Sequence, residues 1–156
     1  KGVHFAEKLT RSLKKAIPKE HFALQTIFMR TTINGLPYNN KLHVDRASYF
    51  TVSYAFENEC TMLYIICPNA EPVIVKPAPG AMIILGGRIR ETAAGKDAVV
   101  HNGPRKFFQR RDIIFFVYGV PGTDVFKSKA KTPYSIKRKA GKRITEVKKA
   151  IDGNYP

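Results

Sequence analysis

Between positions 22 and 118 the chain is cut into short apolar runs by turn residues, and this segmentation restricts its fold more than any other feature. Runs at 22–29, 49–56, 61–67, 72–76, 81–85, 98–101 and 112–118 are rich in β-branched and aromatic residues, which suit a pleated, half-buried surface. Asn34-Gly35, Pro37, Pro68-Asn69, the stretch from Pro77 to Gly80, Gly86-Gly87 and Gly103-Pro104 divide them. Seven or eight short strands at this spacing predict a sandwich or jelly roll. Ahead of them, Phe5, Leu9, Leu13 and Ile17 recur every fourth residue with Lys8, Arg11, Lys14 and Lys15 between, and Pro18 follows. That pattern is an amphipathic helix, expected to lie against one face of a sheet.

A chain of 156 residues suffices for one core, so the expectation is a single domain over 1–156. Within it, 1–20 is the buttressing helix, 21–120 the β core and 121–156 a basic C-terminal extension, with a short helix expected near 144–151. A hydrophobic fraction of 44% with 10 Phe and 7 Tyr excludes a disordered chain. Cys60 and Cys67 form no CxxC pair and read as buried free thiols of a reducing compartment. No apolar run reaches the length of a membrane span and no signal peptide opens the sequence. The expected location is intracellular: nucleus in a eukaryote, cytoplasm in a bacterium or virus.

Charge narrows the partners. Against 12 Asp and Glu stand 27 Lys and Arg, a formal net charge of +15. Such a surface attracts polyanions, nucleic acid (DNA foremost) above others, because phosphate contacts supply most non-specific affinity. The lysines and arginines from Lys127 to Arg143 crowd the extension, either as a solvated surface or as a grip on that partner.

The chemistry-bearing segment is Leu42-His43-Val44-Asp45. On a strand, His43 and Asp45 share a face, because side chains alternate with period two. A third ligand has to come from a distant strand. His4 and His21 lie in or beside the N-terminal helix, which leaves His101, at the end of the run 97–101. Two imidazoles and one carboxylate with open positions suit non-haem iron(II).

Between Asp45 and His101 lie 55 residues, mostly strand, and Arg110 and Arg111 stand nine and ten positions beyond His101. This order resembles the Fe(II)/2-oxoglutarate oxygenase superfamily, over roughly 38–118. The stretch from Lys76 to Gly87 is similar to that family's Pro-Gly strand preceding the distal histidine. The resemblance implies a mainly β fold with an N-terminal helix and a double-stranded β-helix (jelly-roll, cupin-like) core. It also implies iron(II) held by His43, Asp45 and His101, with 2-oxoglutarate as co-substrate, O2 as oxidant, and ascorbate added in assays. The far carboxylate of 2-oxoglutarate is expected on Arg110, on spacing, with Arg111 the alternative; a planar guanidinium meets a carboxylate with two parallel hydrogen bonds. Asn34, Tyr38 or Tyr54 would supply a further hydrogen bond to the co-substrate. Zinc accepts the same donors but no general base accompanies them, and the arginine argues against a cupin without 2-oxoglutarate.

The resemblance with the basic charge implies a nucleic-acid base as substrate, of methylcytosine or thymine type as in the TET/base-J group, or by N-methyl demethylation as in AlkB-like enzymes. The latter usually carry a second arginine six residues after the first, where this chain has Phe116 or Val117, which favours the former. Two alternatives stand: a prolyl-type protein hydroxylase, and a basic β-sandwich that binds nucleic acid without catalysis. The second would show stacking aromatics on an exposed face. Phe50, Tyr54, Phe56, Phe115 and Phe116 lie instead in apolar runs that read as core.

Overall fold

The computed structural model of the chain describes residues 2–33, 42–55, 64–67, 73–75, 80–101, 110–122 and 141–146. Its elements are α1 (Gly2–Ala16), β1 (Ala23–Ile33), β2 (Phe50–Ala55), β3 (Tyr64–Cys67), β4 (Val73–Val75), β5 (Met82–Gly86), α2 (Arg88–Ala94), β6 (Val100–His101) and β7 (Arg110–Gly119). Four strands form one sheet in the order β1-β7-β2-β5, and three form another in the order β4-β3-β6. Every pairing is antiparallel. An isolated bridge from His43 to His101 extends the second sheet beyond β6, as a rudimentary eighth strand.

With that bridge counted, the chain passes back and forth between the layers: β1 in the first, His43 in the second, β2 in the first, β3 and β4 in the second, β5 in the first, β6 in the second, β7 in the first. This is jelly-roll topology, mainly β with an N-terminal helix. The two faces of the first sheet are told apart by their packing. Phe50, Val52, Phe116 and Tyr118 pack with Ala6, Leu9 and Leu13 of α1. On the other face, Ile83, Leu85 and Ile113 pack with Phe115 and with Val99, which leads into β6.

Helix α1 buries Ala6, Leu9 and Leu13, as its four-residue spacing predicts. Phe5 stays half exposed, yet its ring lies 5.6 Å from Phe116. The core under the helix is aromatic: Phe22, 1% exposed, has ring centroids of Tyr49, Phe50 and Tyr118 at 5.7, 5.3 and 5.7 Å. Such pairs add about 0.5–1.5 kcal/mol beyond the area they bury.

A polar clamp holds the helix end to the far side of the core. Arg90 of α2 donates two hydrogen bonds to the Glu20 carboxylate, at 2.8 and 2.7 Å, and the Tyr49 hydroxyl donates a third at 2.8 Å. The Arg90 bonds hold the Glu20 carboxyl below its ordinary range. Burial, and then the bond to Glu20, push the Tyr49 phenol up to about 12.

The pattern misplaced some boundaries, for local reasons. Strand β1 continues to Ile33, through Arg30, Thr31 and Thr32, because β7 pairs with it as far as Arg110. Apolar patterning is blind to such a polar extension. The run at 98–101 shortens to Val100–His101, since Val99 donates its N–H to Gly86 at 2.9 Å instead of joining the ladder. Helix α2 went unread: its seven residues bury only Ile89 as an apolar anchor, too little for a helical period.

Of the C-terminal extension, 141–146 is helical and the rest of the expected helix lies outside the described residues, as do the lysines from Lys127 to Lys139. Arg143 is part of the fold, reaching Glu91 and Asp97, while Ile144 packs on Val44, Ala98 and Val100. Through Arg143 and Ile144 residues 141–146 dock on the fold, while Lys142 stays exposed; the rest of the extension, expected as a solvated surface or a grip, lies outside the described residues. The thiols of Cys60 and Cys67 lie outside the described residues. No helix among the described residues is long and apolar enough to cross a membrane.

Replacing Phe22 by Ala removes the centre of the aromatic core and should cost about 3–5 kcal/mol of unfolding free energy. Urea denaturation followed by circular dichroism measures it, and a loss well below this range would place the core elsewhere.

Candidate metal centre

His43 and His101 face each other across an antiparallel bridge, exchanging reciprocal backbone hydrogen bonds of 2.9 Å each. Residues directly opposite in such a pair project their side chains to the same side. The imidazole centroids accordingly stand 4.4 Å apart, tilted by 55°. Asp45, two residues after His43, joins them: its Oδ1 is 3.7 Å from His43 Nε2 and 3.7 Å from His101 Nε2. Both separations exceed a hydrogen bond. One ligand atom from each of the three residues lies within 4.8 Å of the others, spacing that three ligands of one ion require.

Exposure grades across the group. The His101 side chain is 7% exposed, Asp45 24% and His43 47%. His101 thus forms the floor and His43 the rim. His101 Nδ1 lies 3.0 Å from the Val99 carbonyl, which fits Nδ1–H as donor and leaves the Nε2 lone pair for a metal. Burial pushes the His101 pKa below its ordinary 6.5, more than the Asp45 charge pulls it back, and His43 adds to the lowering. The neutral ring is the form that binds a metal.

Helix α2, unread from the sequence, fixes the loop that carries Asp45. The N–H of Arg88 donates to the Asp45 carbonyl at 2.8 Å, Ile89 to Ser48 at 3.0 Å, and Gly87 to Tyr49 at 2.9 Å. Three amides at a helix start, otherwise without intrahelical partners, thereby hold the segment from Asp45 to Tyr49. Approach at this point is so close that a Cβ on Gly87 would collide with the carbonyl and hydroxyl oxygens of Ser48. Gly86-Gly87 was the available signal, although it read only as a turn.

The other expected site residues are placed less tightly. Arg110 and Arg111 open β7, paired with Ile33 and Thr32. Asn34 and Tyr38 lie outside the described residues. Tyr54 packs against the α1 side of the first sheet, 6.3 Å from Phe5, on the opposite face from Ser53 and the Ile83 cluster. Strand alternation therefore removes Tyr54 from the expected co-substrate partners. The described aromatics meet the expectation of core: Phe50 and Phe116 are buried and Tyr54 and Phe115 partly so.

No family model matches the chain, and no curated protein matches it. Among solved structures it is similar to JOX2 in complex with 2OG, Fe, and JA, at 16% identity and a TM-score of 0.49, over 70% of this chain and 33% of that one. The chain thus spans about a third of the length of the structure it matches.

Two outcomes test this geometry. Gly87→Ala forces Ser48 away from α2 and should cost about 1–3 kcal/mol of stability, as overpacking does; it should also weaken metal binding, read by titration, through displacement of Asp45. The second concerns pH. His101 binds a proton less readily in the folded metal-free protein than in the unfolded chain, so its contribution to stability is complete above about 6.5 and is lost as pH falls toward the folded-state pKa. The urea midpoint of the metal-free protein should drop between pH 7 and 5 by more in wild type than in His101→Gln; equal drops would contradict the buried neutral ring.

Proposed function

We propose that this chain is an iron(II)- and 2-oxoglutarate-dependent oxygenase acting on a nucleic-acid base, with His43, Asp45 and His101 as the iron ligands. The observation that carries it is the convergence of two imidazoles and one carboxylate on one face of a jelly roll, graded from a buried floor to an open rim. That donor set leaves positions for a chelating co-substrate and oxygen, the arrangement suited to non-haem iron(II). When bound, iron(II) with 2-oxoglutarate would supply the electrons that activate O2, the oxidant. The chain's own residues position it: His101 through its Val99 bond, Asp45 through the α2 amides, His43 at the rim.

For the far carboxylate of 2-oxoglutarate, Arg110 is favoured on its spacing of nine positions from His101, with Arg111 the alternative. The substrate class rests on the net charge of +15, since holding a nucleic acid requires neutralised phosphates. A base inside a duplex would have to leave the stack to reach the metal.

The test is succinate release from 2-oxoglutarate with iron(II) and ascorbate, with and without methylated or thymine-containing DNA. Release stimulated by DNA and abolished in His43→Ala and Asp45→Ala supports the reading. Release indifferent to DNA keeps the oxygenase and turns the search to peptides, whose acidic members would suit the same charge. No release from iron-loaded protein rejects the enzyme. Arg110→Ala should raise the 2-oxoglutarate requirement about tenfold or more, as loss of a charged hydrogen-bond pair does, and Arg111→Ala less; the reverse order gives the role to Arg111.

A further inference from the structure

Strand β1 lies at the edge of the first sheet and is paired, among the described residues, with β7 alone. An edge strand presents a row of unpaired N–H and C=O groups, which natural sheets guard by short length, charges or proline. The other edge, β5, follows that rule: it has five residues, and Ile83 and Leu85 are buried on one of its faces. Strand β1 does not. It runs for 11 residues without a proline, and Arg30 is its one charge, although 25% of the chain is charged. Ile27, Phe28 and Met29, consecutive in the strand, are 43%, 41% and 64% exposed. The register assigns their faces. Ile27 and Met29 stand opposite Phe116 and Ile114, on the α1 side, while Phe28 stands opposite Phe115 with the two rings stacked at 4.9 Å. Helix α1 packs over β7 and β2, and a helix about 10 Å across covers little more than two strands spaced about 4.8 Å apart. Apolar side chains are therefore left open on both faces of the edge, where the ladder is open too.

From this edge we propose that β1 is the contact between two copies of the chain, paired antiparallel across a two-fold axis at Phe28. Such an axis joins two four-stranded sheets into one of eight strands and sets identical faces side by side. Phe28 then meets its counterpart, Ile27 meets Met29 on the α1 side, and Thr26 meets Arg30. The apolar triplet thereby matches itself, and the one charge of the strand faces a hydroxyl instead of its own kind. The regular ladder with β7 begins at Thr26, after the irregularity between Leu24 and Thr26, so this pairing uses undistorted strand. Charge selects the occupant. Two molecules of net charge +15 repel, and they approach closely only where charge is sparse, as it is along 23–33. A nucleic acid needs the opposite, a surface dense in Lys and Arg. This pairing does not rest on the oxygenase reading.

Sedimentation equilibrium of the whole chain tests this, with hydrogen exchange as a measurement that needs no variant. With rising concentration the wild type should pass from 17.6 kDa to twice that mass and stop there. Because the copies repel, added salt should strengthen the dimer, where it weakens a contact with nucleic acid. Those amides within 26–30 that β7 leaves unbonded should exchange more slowly as the dimer fills. Ile27→Lys with Met29→Lys sets like charges opposite each other twice across the axis and should weaken dimerisation about tenfold or more. Ile27→Lys with Met29→Glu sets opposite charges there instead, and should dimerise more tightly than the first variant by about the same factor. Both positions are exposed, so both variants should keep the wild-type circular dichroism. A monomer at every concentration overturns the inference, as does a dimer whose 26–30 amides exchange at the monomer's rate. Growth beyond the dimer overturns it too, since β1 laid on β5 of the next copy gives an open array. Equal weakening in the two variants overturns the axis at Phe28. Should either variant fail to fold, the exchange of the wild type decides the outcome.

Discussion

The site depends on one pair of backbone hydrogen bonds. His43 and His101 are distant in sequence, and the reciprocal 2.9 Å bonds between them are what make the imidazoles neighbours. Antiparallel pairing then dictates the rest: opposite residues share a face, and Asp45, two positions on, comes to the same side. A slip of one residue at this bridge would turn one histidine to the other face and dissolve the group.

So short a contact needs support from both ends. His101 is carried by β6, which pairs with β3 and is covered on its other side by the cluster of Val44, Ala98 and Val100. The segment from Asp45 to Tyr49 is carried by the first amides of α2, with Gly87 allowing Ser48 to come within contact. Helix α2 is itself tied down twice, by Arg90 to Glu20 and by Arg143 to Glu91. The N-terminal connection and the C-terminal segment therefore both brace the loop that bears the carboxylate. Part of the basic excess is committed to this bracing, and Arg88 remains beside it with an unshared buried donor.

The strands were legible because their apolar runs and turn residues follow local rules. Helix α1 was legible from the spacing of Leu9 and Leu13, which the fold buries. His43, Asp45 and His101 were legible as candidates because two of them are separated by a strand period and few histidines compete. Less could be read where pairing across the sheet decides the outcome: the polar end of β1 is a strand only because β7 lies beside it. Helix α2 could not be read, since its role is to donate amides and ion pairs and hydrophobic patterning does not register those. Nor could the exclusion of Tyr54, which follows from which face of β2 meets α1.

The claim beneath all of this is that His43, Asp45 and His101 bind one metal ion together. Anaerobic equilibrium dialysis against iron(II) measures it directly. The account predicts one ion per chain, with binding lost in Asp45→Asn, which keeps the side chain's size and removes its charge. Substoichiometric binding in wild type, or binding that survives that substitution undiminished, would contradict it.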